Sequence, residues 1–289
     1  FRSAPQDRDF FAFLKGTDGL LHIRGRGRLE AALESLDKIL REIHAWCGAE
    51  TEIVLFSDHG MNLEENRRVH LQTHLIRYGY SVADHLARRA RHSVCVPAFG
   101  LCGYAALYCG SQSDAPPLAD TLTSLEGVDF ALHREESGEA VVVKGARGAA
   151  RIMRQEREAQ TLYRYEQLTG DPLQLASVTH RLKEEKLLDA CGYAPDSVWY
   201  ERTAEHLYPD ALANLYGSLH DGRVGHTADV LLSLQDGYYY GASVFSRLVR
   251  LAATHGNALS ASTNAFLMST HRTFPAHVRA AEARPFLQG

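Results

Sequence analysis

Three short groups of carboxylate and imidazole side chains punctuate this 289-residue sequence. Asp18 and His22 lie four residues apart in Gly16-Thr17-Asp18-Gly19-Leu20-Leu21-His22. Asp58 and His59 are adjacent in Phe56-Ser57-Asp58-His59-Gly60-Met61. His255 sits in Ala253-Thr254-His255-Gly256, ahead of a small-residue stretch from Asn257 to Thr263. Imidazole nitrogen and carboxylate oxygen are zinc-type donors, with bonds of ~2.0–2.2 Å. Asp18 and His22 converge on one ion if the chain between them curls through a turn, which Gly19 permits. Asp58 and His59 would face opposite sides of an extended strand, so both reach a metal only where the strand breaks, at Gly60. Singly, each motif is weak: Asp-x-x-x-His recurs by chance, Asp-His-Gly can be an Asx turn, and His-Gly says less still. Their joint occurrence carries the metal reading. Fifteen histidines favour it as well, although His44, His74, His85 and His92 fall on helical-looking stretches and read as surface residues.

The elements that would position these groups follow from hydrophobic periodicity. Phe10-Phe11-Ala12-Phe13-Leu14 predicts a buried strand, closed by a turn at Gly16-Thr17-Asp18-Gly19. Leu29, Leu33, Leu36, Ile39, Leu40 and Ile43 recur at three- and four-residue steps and predict an amphipathic helix from Arg28 to about Cys47, stopped by Gly48. Ile53-Val54-Leu55-Phe56 predicts a strand covered on both faces. Strand, helix, strand is a βαβ unit, which implies an α/β fold with a parallel sheet. Two of the three groups then fall just beyond strands, where open α/β sheets bind ligands.

From Val94 to Tyr216 the texture changes. Short strands are predicted around Val94–Val96, Tyr104–Tyr108, Val128–Leu132, Ala140–Lys144 and Ala149–Ile152, with a helix over Leu118–Leu125. The expected organisation is a metal-binding core over residues 1–93, a smaller α+β insertion over 94–216, and the rest of the core over 217–289. That last part contains the strand candidate Asp229–Leu234 and an aromatic turn, Gly237-Tyr238-Tyr239-Tyr240.

Composition excludes some classes. Hydrophobic residues at 45%, charged residues at 23% and a net charge of -4 describe an ordinary globular chain with no nucleic-acid footprint. No run approaches the ~20 apolar residues of a membrane helix. Five cysteines form no metal or redox spacing and read as free, mostly buried thiols, which leans toward a reducing, cytoplasmic compartment.

Taken together, the motifs resemble the type I phosphodiesterase/nucleotide pyrophosphatase family of the alkaline phosphatase superfamily. There an Asp-x-x-x-His pair, an Asp-His-Gly after a helix and a strand, and a late His-Gly occur in this order. Tyr208-Pro209-Asp210-Ala211-Leu212 and Leu232-Ser233-Leu234-Gln235-Asp236-Gly237 also resemble bacterial members, and the likeness runs from about Phe10 to about Thr270. The resemblance implies a three-layer αβα sandwich with a mostly parallel central sheet and a small α+β insertion. It implies two divalent ions, zinc foremost: Asp18, His22 and His255 would hold one, Asp58 and His59 the other. The substrate would be a small-molecule phosphate ester, and a Thr or Ser nucleophile would form a phospho-enzyme. Lys15, Arg24 and Arg26 are candidates for phosphate contact.

The family also takes an aspartate and the nucleophile from earlier in its domain. Before Asp18 the only hydroxyls are Ser3 and Thr17, both read as structural, so these partners are expected upstream of Phe1. The competing readings are a sulfatase or phosphonate hydrolase on the same scaffold, a metal-dependent phosphoglycerate mutase, and a non-catalytic metal-binding fragment.

Overall fold

The segment before β1 is helical where a strand and a turn are expected. Phe10–Leu14 lies in no strand, and Phe11 and Phe13 are 70% and 79% exposed. Helix α1 (Lys15–Arg24) begins directly after it and takes in the predicted turn. Its two internal glycines are tolerated at a cost of about 1 kcal/mol each against alanine. α1 ends at Gly25, whose φ of 54° favours glycine. A Cβ there would also stand 2.7 Å from the Ala252 carbonyl oxygen, so Gly25 lets the end of α1 pack against that backbone. Helix α2 (Leu29–Cys47) matches its periodicity and stops at Gly48 (φ 84°), whose N–H caps the His44 carbonyl. Its apolar stripe is thinly covered: only Ala32 is buried, while Leu33 and Trp46 are more than half exposed.

Strand β1 (Val54–Phe56) pairs antiparallel with β13 (Leu267–Ser269) and is half-exposed, not covered on both faces as its apolar run suggests. Between them in sequence lie β2 (Arg67–Arg68), α3 (Leu71–Arg77), β3 (Ser81–Ala83), β4 (Ser93–Cys95), β5 (Tyr104–Cys109), α4 (Ala115–Leu122) and β6 (Val128–Arg134). Then follow β7 (Ala140–Gly145), β8 (Gly148–Arg157), β9 (Gln160–Gly170), α5 (Ala176–Glu184), β10 (Ala194–Pro195), α6 (Asp196–Thr203), α7 (Ala211–His220), β11 (Val230–Leu234) and β12 (Tyr238–Tyr239). The computed structural model describes residues 9–83, 85, 92–98, 100–222, 224–241 and 250–288; Ser3 lies outside them.

The chain is of the α/β class, built on a nine-stranded mixed sheet in the order β10-β9-β8-β7-β6-β11-β5-β4-β3. The mostly parallel sheet expected from βαβ logic is not what these strands form. Seven of the eight pairings are antiparallel, and only β3–β4 is parallel. The reason is local: β6 to β9 follow one another through short connections, which turn the chain back on itself, whereas parallel neighbours need a long crossover. Strand β11, from the stretch 217–289, lies between β5 and β6 from the stretch 94–216 and pairs with both.

Alternation along β6 directs Phe130 and Leu132 into a core shared with α5, α6 and α7, and Ala131 into one shared with α3 and α4. Helices therefore pack on both faces of the sheet. Trp199 anchors the first core, with its indole N–H donating to the Tyr163 carbonyl at 2.9 Å.

None of the five cysteines forms a disulfide: Cys95 and Cys109 are buried, Cys47 and Cys191 are exposed, and burial pushes the Cys109 thiol up to about 12. His44 and His74 lie on helices, but His92 is a turn residue at φ 55°. Among the described residues no helix is long and apolar enough to cross a membrane.

Candidate metal centre

Helical geometry brings Asp18 and His22 together without any turn. Residues i and i+4 share one face of a helix, and His22 Nε2 stands 3.3 Å from Asp18 Oδ1. The His22 carbonyl and the His22 ring tie α1 to residues 252 and 253. Ala252 N–H donates to the His22 carbonyl at 2.8 Å, and His22 Nδ1 donates to the Ala253 carbonyl at 2.8 Å. This places His255, two residues on, with its Nε2 at 3.8 Å from the same Asp18 oxygen.

The second group forms where β1 ends. Ser57 N–H donates to the Phe266 carbonyl and Gly60 N–H to the Ser262 carbonyl, which folds the Asp58-His59-Gly60 loop over the segment leading to β13. A Cβ at Gly60 would meet the Ala261 and Asn264 carbonyls at 2.3 and 2.4 Å, so the loop approaches this closely only with glycine. His59 Nδ1 donates to the Gly60 carbonyl at 2.8 Å, and its Nε2 is 3.6 Å from Asp58 Oδ1. The His59 ring stacks on His255, centroids 3.7 Å apart and planes 18° from parallel. The two groups are thereby neighbours in space.

Asp18, His22 and His255 form a set whose ligand atoms all lie within 4.8 Å of one another. A tetrahedral ion with bonds of ~2.1 Å would have ligands ~3.4 Å apart, and the two distances to Asp18 straddle that value. The donor chemistry also fits. With Nδ1–H committed to Ala253, His22 Nε2 is the ring atom left facing the Asp18 carboxylate oxygen. Asp18 Oδ1 is itself shielded from solvent with no hydrogen-bond donor. A bound cation would give this shielded oxygen the partner it lacks. Burial first, and then the neighbouring His59 and His22 rings, hold the His255 imidazole below its ordinary value. The ring is then neutral near pH 7, the form that ligates metal.

Asp58 and His59 offer a two-donor set, and the Asp58 side chain is 69% exposed. Lys15, Arg24 and Arg26 are exposed on α1 and the turn after it. Thr17, one residue before Asp18 on a helix, projects ~100° away from the Asp18–His22 face. No protein-family model, no curated protein and no solved structure matches the chain.

Sequence reasoning passed over the polar residues behind these ligands. Asn62, Asn66, Thr254 and Asn257 are buried and hydrogen-bonded to one another or to Asp236. Asparagines scattered through loops carry no periodic signal. Only the proximity of Asn62 to Asp58-His59 and of Thr254 to His255 would have pointed to them.

Proposed function

We propose that this chain is the metal-binding part of a two-metal phosphohydrolase that acts on small-molecule phosphate esters, with phosphodiesters of the nucleotide pyrophosphatase type as the substrate class. The convergence of Asp18, His22 and His255 beside the stacked His59 and the open Asp58 is the observation that carries this reading. Zinc ions bound there would supply Lewis acidity toward a phosphoryl oxygen and its leaving group. Asp18, His22 and His255 hold one ion, while Asp58 and His59 contribute to the other and leave an open side for substrate. None of the five moves a proton. The backbone acceptors at Ala253 and Gly60 fix the ring orientation of His22 and His59, as outer hydrogen bonds do in metal sites.

On this reading the hydroxyl nucleophile and a further aspartate belong to a segment outside residues 1–289.

The test is to express the full open reading frame and assay it, with zinc, on bis-p-nitrophenyl phosphate, p-nitrophenyl sulfate and a phosphonate monoester. The diester should be the preferred substrate. Asp58→Ala should lower turnover by about 10³-fold or more, on the scale of losing transition-state charge stabilisation. Preference for the sulfate or phosphonate would move the activity to a sibling class. Undiminished diester hydrolysis in both Asp58→Ala and His255→Ala, with unchanged metal content, would overturn the reading.

A further inference from the structure

One buried amide joins the two ligand loops. Asn62, three residues after His59, pairs with Thr254, the residue before His255. Its N–H donates to the Thr254 carbonyl at 2.9 Å, and the Thr254 N–H is shared between the Asn62 carbonyl (3.3 Å) and Asn62 Oδ1 (3.0 Å). Asn62 Oδ1 also accepts from Asn66 Nδ2 at 3.1 Å, while Asn62 Nδ2 donates to Asp236 Oδ1 at 3.2 Å and to Asn66 Oδ1 at 3.4 Å. The side chain is 3% exposed, and both its donors and its acceptor are engaged. Asp236 Oδ1 accepts a second bond, from Asn257 Nδ2 at 2.9 Å, two residues past His255. The chain on either side of His255 is thus tied to the Asp58-His59 loop, by Thr254 directly and by Asn257 through Asp236.

We infer that Asn62, oriented by Asp236, is a positioning residue that fixes the Asp58-His59 loop against His255 and so sets the relation between the two halves of the metal centre. This deepens the proposed function and rests on it for what is positioned. Few side chains could replace the amide. Asp lacks the donors Asp236 needs, and Ala removes one of the two bonds at Asp236 Oδ1 and leaves the Thr254 N–H only the longer bond to the backbone carbonyl of residue 62, in a buried site. Polarity, not size, is the requirement. Exchanging the two polarities therefore provides a specific rescue: in Asn62→Asp the two carboxylates repel, whereas Asn62→Asp combined with Asp236→Asn restores a donor–acceptor pair.

The test uses the whole 289-residue chain with two readouts. The first is a Co²⁺ titration followed by visible absorption. The second is the imidazole ¹⁵N shifts of His59 and His255 in metal-free protein. Asn62→Asp should weaken Co²⁺ binding by ~10–100-fold, as loss of outer hydrogen bonds to a metal site does, and should move both imidazole signals. The double exchange should recover most of the affinity and return the signals. Co²⁺ affinity unchanged in Asn62→Asp, or lost and not recovered by the exchange, would overturn the inference even if thermal stability follows the swap. If wild-type protein takes up no Co²⁺, the two-metal reading fails on its own account. The imidazole signals then decide: movement and return support positioning, and signals unmoved by Asn62→Asp refute it.

Discussion

Alanine at His255 should weaken divalent-ion binding by at least ~100-fold, because a zinc site worth ~10–16 kcal/mol over four ligands draws about 3 kcal/mol from each. Two features enlarge the effect here. His255 supplies one of only three protein donors in its cluster, and its ring carries the stack to His59 that joins the two groups. Asp58→Ala should behave differently. Its carboxylate belongs to the two-donor set and is 69% exposed, so the ion held by Asp18, His22 and His255 should lose less than ~10-fold in affinity, the lower bound for disturbing outer contacts. Competition against a chromophoric chelator measures both variants on one scale. The reverse order, with Asp58→Ala more damaging than His255→Ala, would contradict the assignment of ligands to ions.

The second large effect concerns the core. Trp199 is 2% exposed, packs among Tyr163, Val178 and Leu212, and donates its indole N–H to the Tyr163 carbonyl. Trp199→Ala deletes the largest buried side chain of this cluster and leaves that carbonyl without the indole, so ~3–5 kcal/mol of stability should be lost. Against a total of ~5–15 kcal/mol that is a large share. The other tryptophan is the natural control. Trp46, at the end of α2, is 58% exposed, and Trp46→Ala should cost within about 0.5 kcal/mol. Urea unfolding followed by circular dichroism reads both. Equal losses would mean that α6 does not pack on β9 as described.

The candidate donors could be picked out in the sequence because their chemistry is carried by residue type, and the structure brings Asp18, His22 and His255 together. Their geometry could not be read there. Asp18 and His22 were expected to meet through a turn at Gly19, yet they meet because α1 runs through both glycines and sets them one helical turn apart. Single-residue propensity argued for a turn, whereas the helix that forms is joined at its end to residues 252 and 253 by two hydrogen bonds of His22. The same limit explains Phe10–Leu14: an apolar run specifies a wish for burial, and strand formation further requires a ladder partner.

The sheet shows a second limit. Most strands from β4 to β8 were recognisable from β-branched and aromatic runs. Strand β9 was missed because Arg164, Glu166 and Gln167 break up its apolar signal along Gln160–Gly170. Strand direction was misjudged because the βαβ rule was read from Phe10 to Phe56 and extended to strands that pair as hairpins. Least legible of all was the Asn62–Asp236–Asn257 network, which joins residues 174 and 21 positions apart and follows no period.

Zinc content after equilibrium dialysis near pH 7.5 tests the metal centre most directly, with wild-type chain beside a variant carrying both Asp18→Ala and His22→Ala. The account predicts about one tightly held ion per wild-type chain, the share of a single three-donor set with one position left open. The double variant should hold none while keeping its circular dichroism spectrum, since both side chains lie on an outlying helix. Wild-type protein without zinc above the buffer, or a variant that retains it in full, would contradict the account.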